Sequence, residues 1–252
     1  TDWKHFNDVL GGLQRGCLYI IAARPGDGKT DFALHLAVQL AKRCRVDYRS
    51  LEMTKEQLVH RVLSRGCMIN STRFRDHDLD ENAQKRIGIA AARMGDLHLV
   101  MDDTPGVSAG DVEAKLASGK PDVMFIDYLG LMRGDAAGNK PLWQITGEIT
   151  HALKESARRH GAAVVALVQL ARAADRQKEP ALSDLKGGSD IEADADGVIF
   201  MRPQKTGEFL SGDDAWPVEA VIAKNRHGGV GRLRFNWQPQ YHNYVPTDNT
   251  RR

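Results

Sequence analysis

The sequence predicts an α/β fold in which helices flank a mostly parallel central sheet and an antiparallel hairpin follows near the C-terminus. Apolar runs of strand length recur along the 252 residues, and helix-like segments follow them. The runs are almost continuously hydrophobic, which is typical of strands buried on both faces. Two strand-like segments around a Gly-Gly turn indicate the hairpin. We therefore expect one large domain, residues 1–252.

The clearest strand patterns lie at residues 18–23, 97–102, 122–127, 162–169 and 197–201. Residues 46–52 are a further, more polar candidate strand. Helices are predicted at residues 31–43 and 142–160, where apolar side chains recur mainly at helical spacing. Residues 218–225 and 230–237 are predicted to pair as the hairpin. This alternation of strand and helix is the pattern of βαβ units around a parallel sheet.

Two segments between these elements are predicted to be mobile loops. Residues 133–141 are rich in glycine, and residues 171–190 are polar and bounded by Pro180 and the Gly187-Gly188 pair. A loop as long as the second is uncommon unless it has a function.

The composition excludes several classes of protein. The 35 Lys and Arg nearly balance the 33 Asp and Glu, so any binding of nucleic acid must rely on local loops. Cys17, Cys44 and Cys67 fit neither a disulfide framework nor a zinc site, which favours a reducing, intracellular setting. We find no membrane span or signal peptide and expect a soluble protein. Because the chain begins at Thr1, we expect a domain cut from a longer protein.

Residues 23–30 carry the strongest chemical signal, because they follow a predicted strand and open a predicted helix, as a phosphate-binding loop does. Gly26 and Gly28 let the backbone bend so that N–H groups point at an anion. Lys29 is expected to neutralise the β and γ phosphates, and Thr30 to bind Mg²⁺. The predicted nucleotide-binding residues are Ala23, Arg24, Pro25, Gly26, Asp27, Gly28, Lys29 and Thr30. The alternative is an ordinary strand-to-helix turn with an incidental lysine.

Three polar residues end other predicted strands, where an open α/β sheet binds its ligands. Asp127 is the candidate metal-side carboxylate, and the alternative is a cap or turn residue. Glu52 is the candidate that orients or activates water, and the alternative is a solvated glutamate at a helix start. Gln169 is a candidate sensor of the γ-phosphate, although a glutamine at a strand end often has no role.

Several motifs together resemble the C-terminal motor domain of DnaB-type replicative helicases, a branch of the RecA-like P-loop ATPases. The most specific are SLEM at 50–53, DYLGLM at 127–132 and LSDLKGGSDIEADAD at 182–196. The Walker A segment at 23–30 is generic, but its opening Ala-Arg-Pro is usual in this family. The resemblance covers nearly the whole chain and implies a RecA-like fold.

The resemblance also implies the activity, the assembly and the roles of site residues. It implies an ATP- and Mg²⁺-dependent helicase motor that assembles with itself, usually as a hexameric ring, and moves along single-stranded DNA in the cytoplasm of a bacterium or a phage-infected host. Glu52 would activate water, Asp127 would bind the metal, and Gln169 would sense the phosphate. Lys224 and Arg226 would reach the neighbouring subunit's γ-phosphate, and the alternative is a solvated cluster on an edge strand.

The resemblance also implies partner proteins and a DNA-binding segment. A helicase loader and a primase are implied partners, whereas the family's N-terminal domain and linker helix are not expected within these residues. DNA contacts are implied at Lys186, Gly187 and Ser189, although the family commonly has Arg-Glu-Ser-Gly where this chain has Lys-Gly-Gly-Ser. Trp143 is expected in the core rather than as a base-stacking residue.

Two alternatives stay open at this stage. The first is a recombinase-like protein that forms an ATP-gated filament on DNA without processive unwinding, and it differs from a ring in having open ends. The second is a signalling ATPase of the same fold, whose hydrolysis would not respond to DNA.

Overall fold

The computed structural model describes residues 1–134, 141–170, 180–185, 188–204 and 215–247. Its strands are β1 Leu18–Ala23, β2 Val46–Ser50, β3 Leu99–Asp102, β4 Val123–Asp127, β5 Ala163–Gln169, β6 Gly197–Pro203, β7 Trp216–Asn225, β8 Gly231–Gln238 and β9 Asn243–Pro246. Its helices are α1 Lys4–Leu10, α2 Lys29–Ala41, α3 Lys55–Cys67, α4 Ser71–Arg75, α5 Glu81–Gly95, α6 Ala109–Gly119, α7 Leu142–His160 and α8 Gly188–Asp194. None of the described helices combines the length and apolar character needed to cross a membrane.

All the described strands belong to one sheet, in the order β3-β2-β4-β5-β1-β6-β7-β8-β9. The pairs from β3 to β6 are parallel, and the pairs from β6 to β9 are antiparallel. The parallel strands therefore all end on one side of the sheet, which we call the carboxyl end, and begin at the opposite amino end. This confirms the predicted parallel sheet with an antiparallel C-terminal hairpin.

Hydrophobic clusters lie on both faces of the sheet. Alternate residues of β1 supply both, with Tyr19 and Ile21 on one face and Leu18 and Ile20 on the other. Helices α1 and α2 contribute to the first cluster, and α6, α7 and α8 contribute to the second. A smaller cluster joins α3 and α5. Because both faces are covered, β1 and β4 are buried along their whole length and are hydrophobic except for Asp127 at the end of β4.

Strand β2 is fully buried although its sequence is polar. The Arg49 guanidinium donates to the Asp47 carboxylate at 3.0 Å and to Asp102, on the adjacent β3, at 2.7 Å. Burial raises the pKa of Asp47, while the charges of Arg49 and Lys115 lower it. Pairing of the charges thus allows polar side chains to occupy a strand inside the sheet. The strand ends at Ser50, so Glu52 lies beyond it rather than at its last position.

The prediction that Trp143 lies in the core is wrong, because its side chain is 60% exposed. The buried face of α7 carries Ile149, Leu153 and Ala157 at a spacing of four residues. Trp143 precedes Ile149 by six positions, which is about 1.7 helical turns, so it faces away from that buried stripe.

The described parts of both predicted mobile loops include ordered backbone contacts. Residues 188–190 belong to the first turn of α8, and Leu185 forms a bridge with Leu170. Arg133 likewise forms a bridge with Ser108. Residues 135–140 and 171–179 lie outside the described residues. The sequence patterns did not predict strand β9 or helices α1, α3, α4, α5, α6 and α8.

Asp196 links the amino end of the sheet to α7, and its loss is expected to destabilise the fold. Its buried carboxylate accepts the Leu18 N–H at 2.8 Å and forms an ion pair with Lys154. We predict that Asp196→Ala lowers the free energy of unfolding by about 3 kcal/mol, because it leaves the largely buried Lys154 ammonium without a counter-charge. Denaturant unfolding of the parent and the variant measures the difference.

Lys85→Ala is the matched control, because Lys85 pairs with Glu81 on an exposed helix surface. That change should cost less than about 1 kcal/mol. Equal losses for the two variants would contradict a structural role of the buried pair.

Candidate active site

The loop from β1 to α2 has the backbone geometry of an anion cradle. Gly26 and Gly28 have φ angles of 79° and 81°, a region that side chains with a Cβ rarely occupy. Gly28 caps α2, and no side chain caps this helix terminus. The first N–H groups of α2 are therefore available to an anion, and the helix dipole favours negative charge there. This geometry suits an anion, and phosphate binding at residues 23–30 stays a prediction.

Lys29 brings together three of the predicted site residues. Its side chain is only 8% exposed, and its Nζ lies 3.3 Å from Asp127 Oδ1 and 3.4 Å from Glu52 Oε2. The ammonium also lies 4.9 Å from the centre of the Tyr128 ring. Residues from α2, β4 and the segment after β2 thus meet at the carboxyl end of the sheet.

Asp127 is the last residue of β4, and its side chain is 1% exposed. Its second oxygen, Oδ2, accepts the Tyr48 hydroxyl at 2.9 Å. Burial raises the pKa of Tyr48 well above its ordinary value, and the charge of Asp127 raises it further, so the phenol stays protonated and donates. Tyr48 thus fixes the carboxylate whose other oxygen faces Lys29.

Tyr48 is a site residue that the sequence analysis missed. It lies two positions before the end of β2, beside Phe125 of β4 in the sheet register, and its ring stacks on that neighbour at 5.6 Å. An aromatic residue in a strand ordinarily indicates packing, so only the position of its hydroxyl reveals the second role.

Glu52 lies in a turn that the surrounding backbone holds in place. The Leu51 N–H donates to the Asp127 carbonyl at 2.7 Å, which joins this turn to the end of β4. The Ser50 hydroxyl donates to the Met53 carbonyl at 2.6 Å and accepts the Met53 N–H at 3.1 Å. The Glu52 side chain is 47% exposed. Its carboxylate is therefore accessible to water while it contacts the buried Lys29.

The predicted metal ligands suit Mg²⁺ by their chemistry. Thr30 lies on the first turn of α2, and Asp127 is the last residue of β4. A hydroxyl and a carboxylate are the hard oxygen ligands that this ion takes, usually together with phosphate oxygens and water.

Gln169 is the direct neighbour of the phosphate loop in the sheet. It pairs in register with Ala23, the first residue of the predicted loop, and the Leu170 N–H donates to the Ala23 carbonyl at 3.0 Å. The bridge between Leu170 and Leu185 then brings the segment that contains the predicted DNA-binding residues to this point. Residue 169 thus lies beside the phosphate loop in the sheet, and the residue after it pairs with Leu185, which precedes the predicted DNA-binding residues.

Lys224 and Arg226 lie at the amino end of the sheet, away from the phosphate loop. Strand β7 is antiparallel to β6, so Asn225 pairs with Gly197 where β6 begins. The six residues of β1 separate the two ends of the sheet. At about 3.3 Å per residue this separation is roughly 17 Å. Neither side chain is placed to contact the phosphate loop of its own chain.

Both of these side chains contact the region of α8. The Lys224 ammonium donates to the Glu192 carbonyl, and burial, followed by the charge of Arg226, lowers its pKa. Arg226 donates to the Ala193 carbonyl at 2.7 Å, and its side chain remains 46% exposed. The alternative of a solvated edge-strand cluster is wrong, because β7 lies between β6 and β8.

The predicted DNA-binding residues are described only in part. Lys186 and Gly187 lie outside the described residues, and Ser189 belongs to the first turn of α8 by its backbone.

Comparison with protein families and curated proteins finds replicative DNA helicases among the relatives of this chain. A family model for the DnaB-like helicase C terminal domain matches residues 1–246. The replicative DNA helicase DnaC of Bacillus subtilis (strain 168) is 33% identical, over 97% of this chain and 56% of that protein. The replicative DNA helicase DnaB of Geobacillus stearothermophilus is 32% identical, over 97% and 56%. The chain therefore spans about half the length of the curated relatives it matches.

Two solved structures also match this chain in fold. A DnaB-like replicative helicase, described with its interactions with primase, superimposes with a TM-score of 0.88 at 29% identity, covering 96% of this chain and 60% of that one. A solved structure of an ATPase domain also gives 0.88, at 28% identity, covering 96% and 89%.

The two carboxylates around Lys29 are expected to differ in their importance for stability. We predict that Asp127→Asn lowers the free energy of unfolding by about 3 kcal/mol, because the buried ammonium loses its buried counter-charge. Glu52→Gln should change it by less than about 1 kcal/mol, because the Glu52 carboxylate is half exposed. The two variants are matched amide isosteres, and denaturant unfolding without nucleotide compares them. A larger loss of free energy of unfolding for Glu52→Gln than for Asp127→Asn would show that burial does not determine which carboxylate contributes more to stability.

Proposed function

The chain belongs to the DnaB-like helicase C-terminal domain family, and on that premise we propose that it is the ATP-hydrolysing motor domain of a replicative DNA helicase. The observation that carries the proposal is the meeting of Lys29, Glu52 and Asp127 beside the uncapped start of α2. A buried cation, an exposed carboxylate and free N–H groups are the components that phosphoryl transfer to water needs.

In this proposal the phosphate chain of ATP lies against the N–H groups of the loop and takes Lys29 as its cation. Glu52 then orients a water molecule and accepts its proton, because its carboxylate is accessible to solvent. Thr30 and Asp127 would hold Mg²⁺, which neutralises charge on the phosphates. Gln169, beside Ala23, would contact the terminal phosphate.

We further propose that the complete site forms between copies of the chain. Lys224 and Arg226 lie at the amino end of the sheet, too far from the phosphate loop of their own chain, and Arg226 is 46% exposed, so we assign them to a neighbour's site. An arginine supplied in this way contributes about 10³–10⁵ to the rate in other phosphoryl-transfer enzymes. A closed hexameric ring satisfies every such head-to-tail interface.

Single-stranded DNA is the proposed second ligand, at Lys186, Gly187 and Ser189. The Leu170–Leu185 bridge supports this arrangement, because it joins the strand end that carries Gln169 to the segment with these residues. The net charge of +2 favours contact through such a local segment. The family assignment disfavours the filament-forming alternative.

The remaining assignments rest on the relatives. A solved relative is described with its interactions with primase, and we propose a primase and a helicase loader as partners of this protein too. We also propose that the 252 residues form one motor domain and that it works in the cytoplasm, where a replicative helicase acts.

The proposed chemistry predicts distinct effects of Lys29→Ala and Glu52→Gln on hydrolysis. Lys29→Ala should abolish turnover, because the bound phosphates lose their cation. Glu52→Gln should retain ATP binding but slow hydrolysis by about 10²-fold or more, because an amide cannot accept the proton. Steady-state ATPase assays over a range of protein concentrations, with and without single-stranded DNA, measure both effects. Parental turnover in Lys29→Ala would refute the ATPase assignment, and parental turnover in Glu52→Gln would move the base elsewhere.

The shared site predicts complementation between two inactive variants. Arg226→Ala subunits keep an intact Glu52, and Glu52→Gln subunits keep an intact Arg226, so each variant alone should be nearly inactive. Mixed assemblies should regain hydrolysis where an intact Glu52 meets a neighbour's Arg226. The measurement is ATPase activity of mixed assemblies against mixing ratio, in protein that assembles. A rate that only averages the two separate variants would refute the role of Arg226 in a neighbour's site.

A further inference from the structure

A buried carboxylate next to the phosphate loop has no part in the chemistry proposed above. Asp31 follows Thr30 on the first turn of α2, and its side chain is 3% exposed. It accepts the Arg61 guanidinium at 2.7 Å and the Trp237 indole N–H at 3.1 Å, and His242 Nδ1 lies 3.0 Å from it. Burial raises the pKa of Asp31, but the hydrogen bond from His242 and the charge of Arg61 outweigh it, so the net pKa is lowered. Asp31 is an ionised anchor for the C-terminal strands.

Two aromatic rings connect this anchor to the phosphate loop. Trp237 of β8 stacks on Tyr244 of β9, with ring centres 5.9 Å apart and an interplanar angle of 11°. The Tyr244 hydroxyl donates to the Gly28 carbonyl at 3.2 Å. Burial raises the pKa of Tyr244 well above its ordinary value, so the phenol remains a donor. The β8–β9 pair therefore reaches the turn at which α2 begins.

The contact with Gly28 is close enough to determine which residue fits there. A Cβ on Gly28 would lie 2.4 Å from the Tyr244 hydroxyl oxygen and 3.0 Å from the Trp237 ring. The glycine is thus required by its neighbours as well as by its positive φ. The rings of Trp237 and Tyr244 therefore pack directly against the phosphate loop at Gly28.

Holding the Gly28 carbonyl has a direct consequence for phosphate binding. The Gly28 carbonyl and the Lys29 N–H belong to one planar peptide unit and point in opposite directions. The carbonyl accepts both the Phe32 N–H of the helix, at 3.0 Å, and the Tyr244 hydroxyl. With the carbonyl held at one side, the Lys29 N–H is directed to the other, where the loop's remaining N–H groups receive an anion.

We propose that Asp31, Trp237 and Tyr244 are positioning residues that orient the Gly28–Lys29 peptide for phosphate binding. The C-terminal strands thereby contribute to the nucleotide site without touching the nucleotide. This inference rests on the proposed ATPase function, because it assigns these residues a part in the same site.

Tyr244→Phe tests the proposal, because it removes the hydroxyl and keeps the stacked ring. A hydrogen bond contributes about 0.5–1.5 kcal/mol, so ATP binding with Mg²⁺ should weaken about 2- to 12-fold. KM should rise by a similar factor while kcat changes little, because the peptide binds phosphate before and during the reaction. Tyr241→Phe is the matched control, because Tyr241 lies in the turn just before β9 and its hydroxyl has no hydrogen-bond partner among the described residues. It should leave ATP binding unchanged.

The outcomes separate this inference from the function on which it rests. If the parent binds ATP and Tyr244→Phe binds it equally well, the positioning role is refuted and the ATPase function stands. If the parent protein does not bind ATP, both the positioning role and the proposed ATPase function are refuted. A lower melting temperature without nucleotide, together with an unchanged KM, would show a purely structural role. Should Tyr244→Phe fail to fold, Asp31→Asn gives the same readouts, because it weakens the anchor by removing its charge, and unchanged ATP binding there would also refute the proposal.

Discussion

The buried ammonium of Lys29 is the constraint on which the site depends. A cation withdrawn from water needs a paired anion, and Asp127 is the one buried beside it among the described residues. Burial of that carboxylate in turn requires a donor for its second oxygen, which Tyr48 supplies from the neighbouring strand. Glu52 completes the charge balance from the solvent side. The positions of these four residues are therefore linked, although they come from separate segments of the chain.

The direction of the strands divides the functional residues between the two ends of the sheet. The parallel strands bring the residues proposed to bind phosphate and to activate water to the carboxyl end. The reversal at β7 returns Lys224 and Arg226 to the amino end, beside the start of β6. The proposed site residues of one chain therefore form two groups that lie too far apart to meet within that chain. Assembly with a second copy is the direct way to bring such parts together, which is why the topology favours a site shared between subunits.

Residues whose role depends on local sequence could be predicted, and residues whose role depends on distant contacts could not. The phosphate loop and the ends of β4 and β5 follow from apolar runs and the residues next to them. Tyr48 has no local signal, because its partner Asp127 is 79 positions away. Asp31 and Trp237 are 206 positions apart, and β9 is a short strand that becomes evident only in the assembled sheet. The prediction for Trp143 is wrong for a different reason. It relies on helical spacing to place Trp143 on the face of Ile149, but six positions are about 1.7 turns, and Trp143 is exposed to solvent.

Helix α8 lies between the proposed DNA contacts and the proposed interfacial cations. Ser189 belongs to its first turn, and the carbonyls of Glu192 and Ala193 in its last turn accept Lys224 and Arg226. The start of this helix follows Leu185, which is bridged to the strand end that carries Gln169. A short helix moves as a unit, because its backbone hydrogen bonds hold successive turns together. A shift of its first turn would therefore carry the carbonyls that hold the two cations. In the proposed assembly, α8 would therefore connect the proposed DNA contact at Ser189 with Lys224 and Arg226, the cations proposed for the neighbour's site.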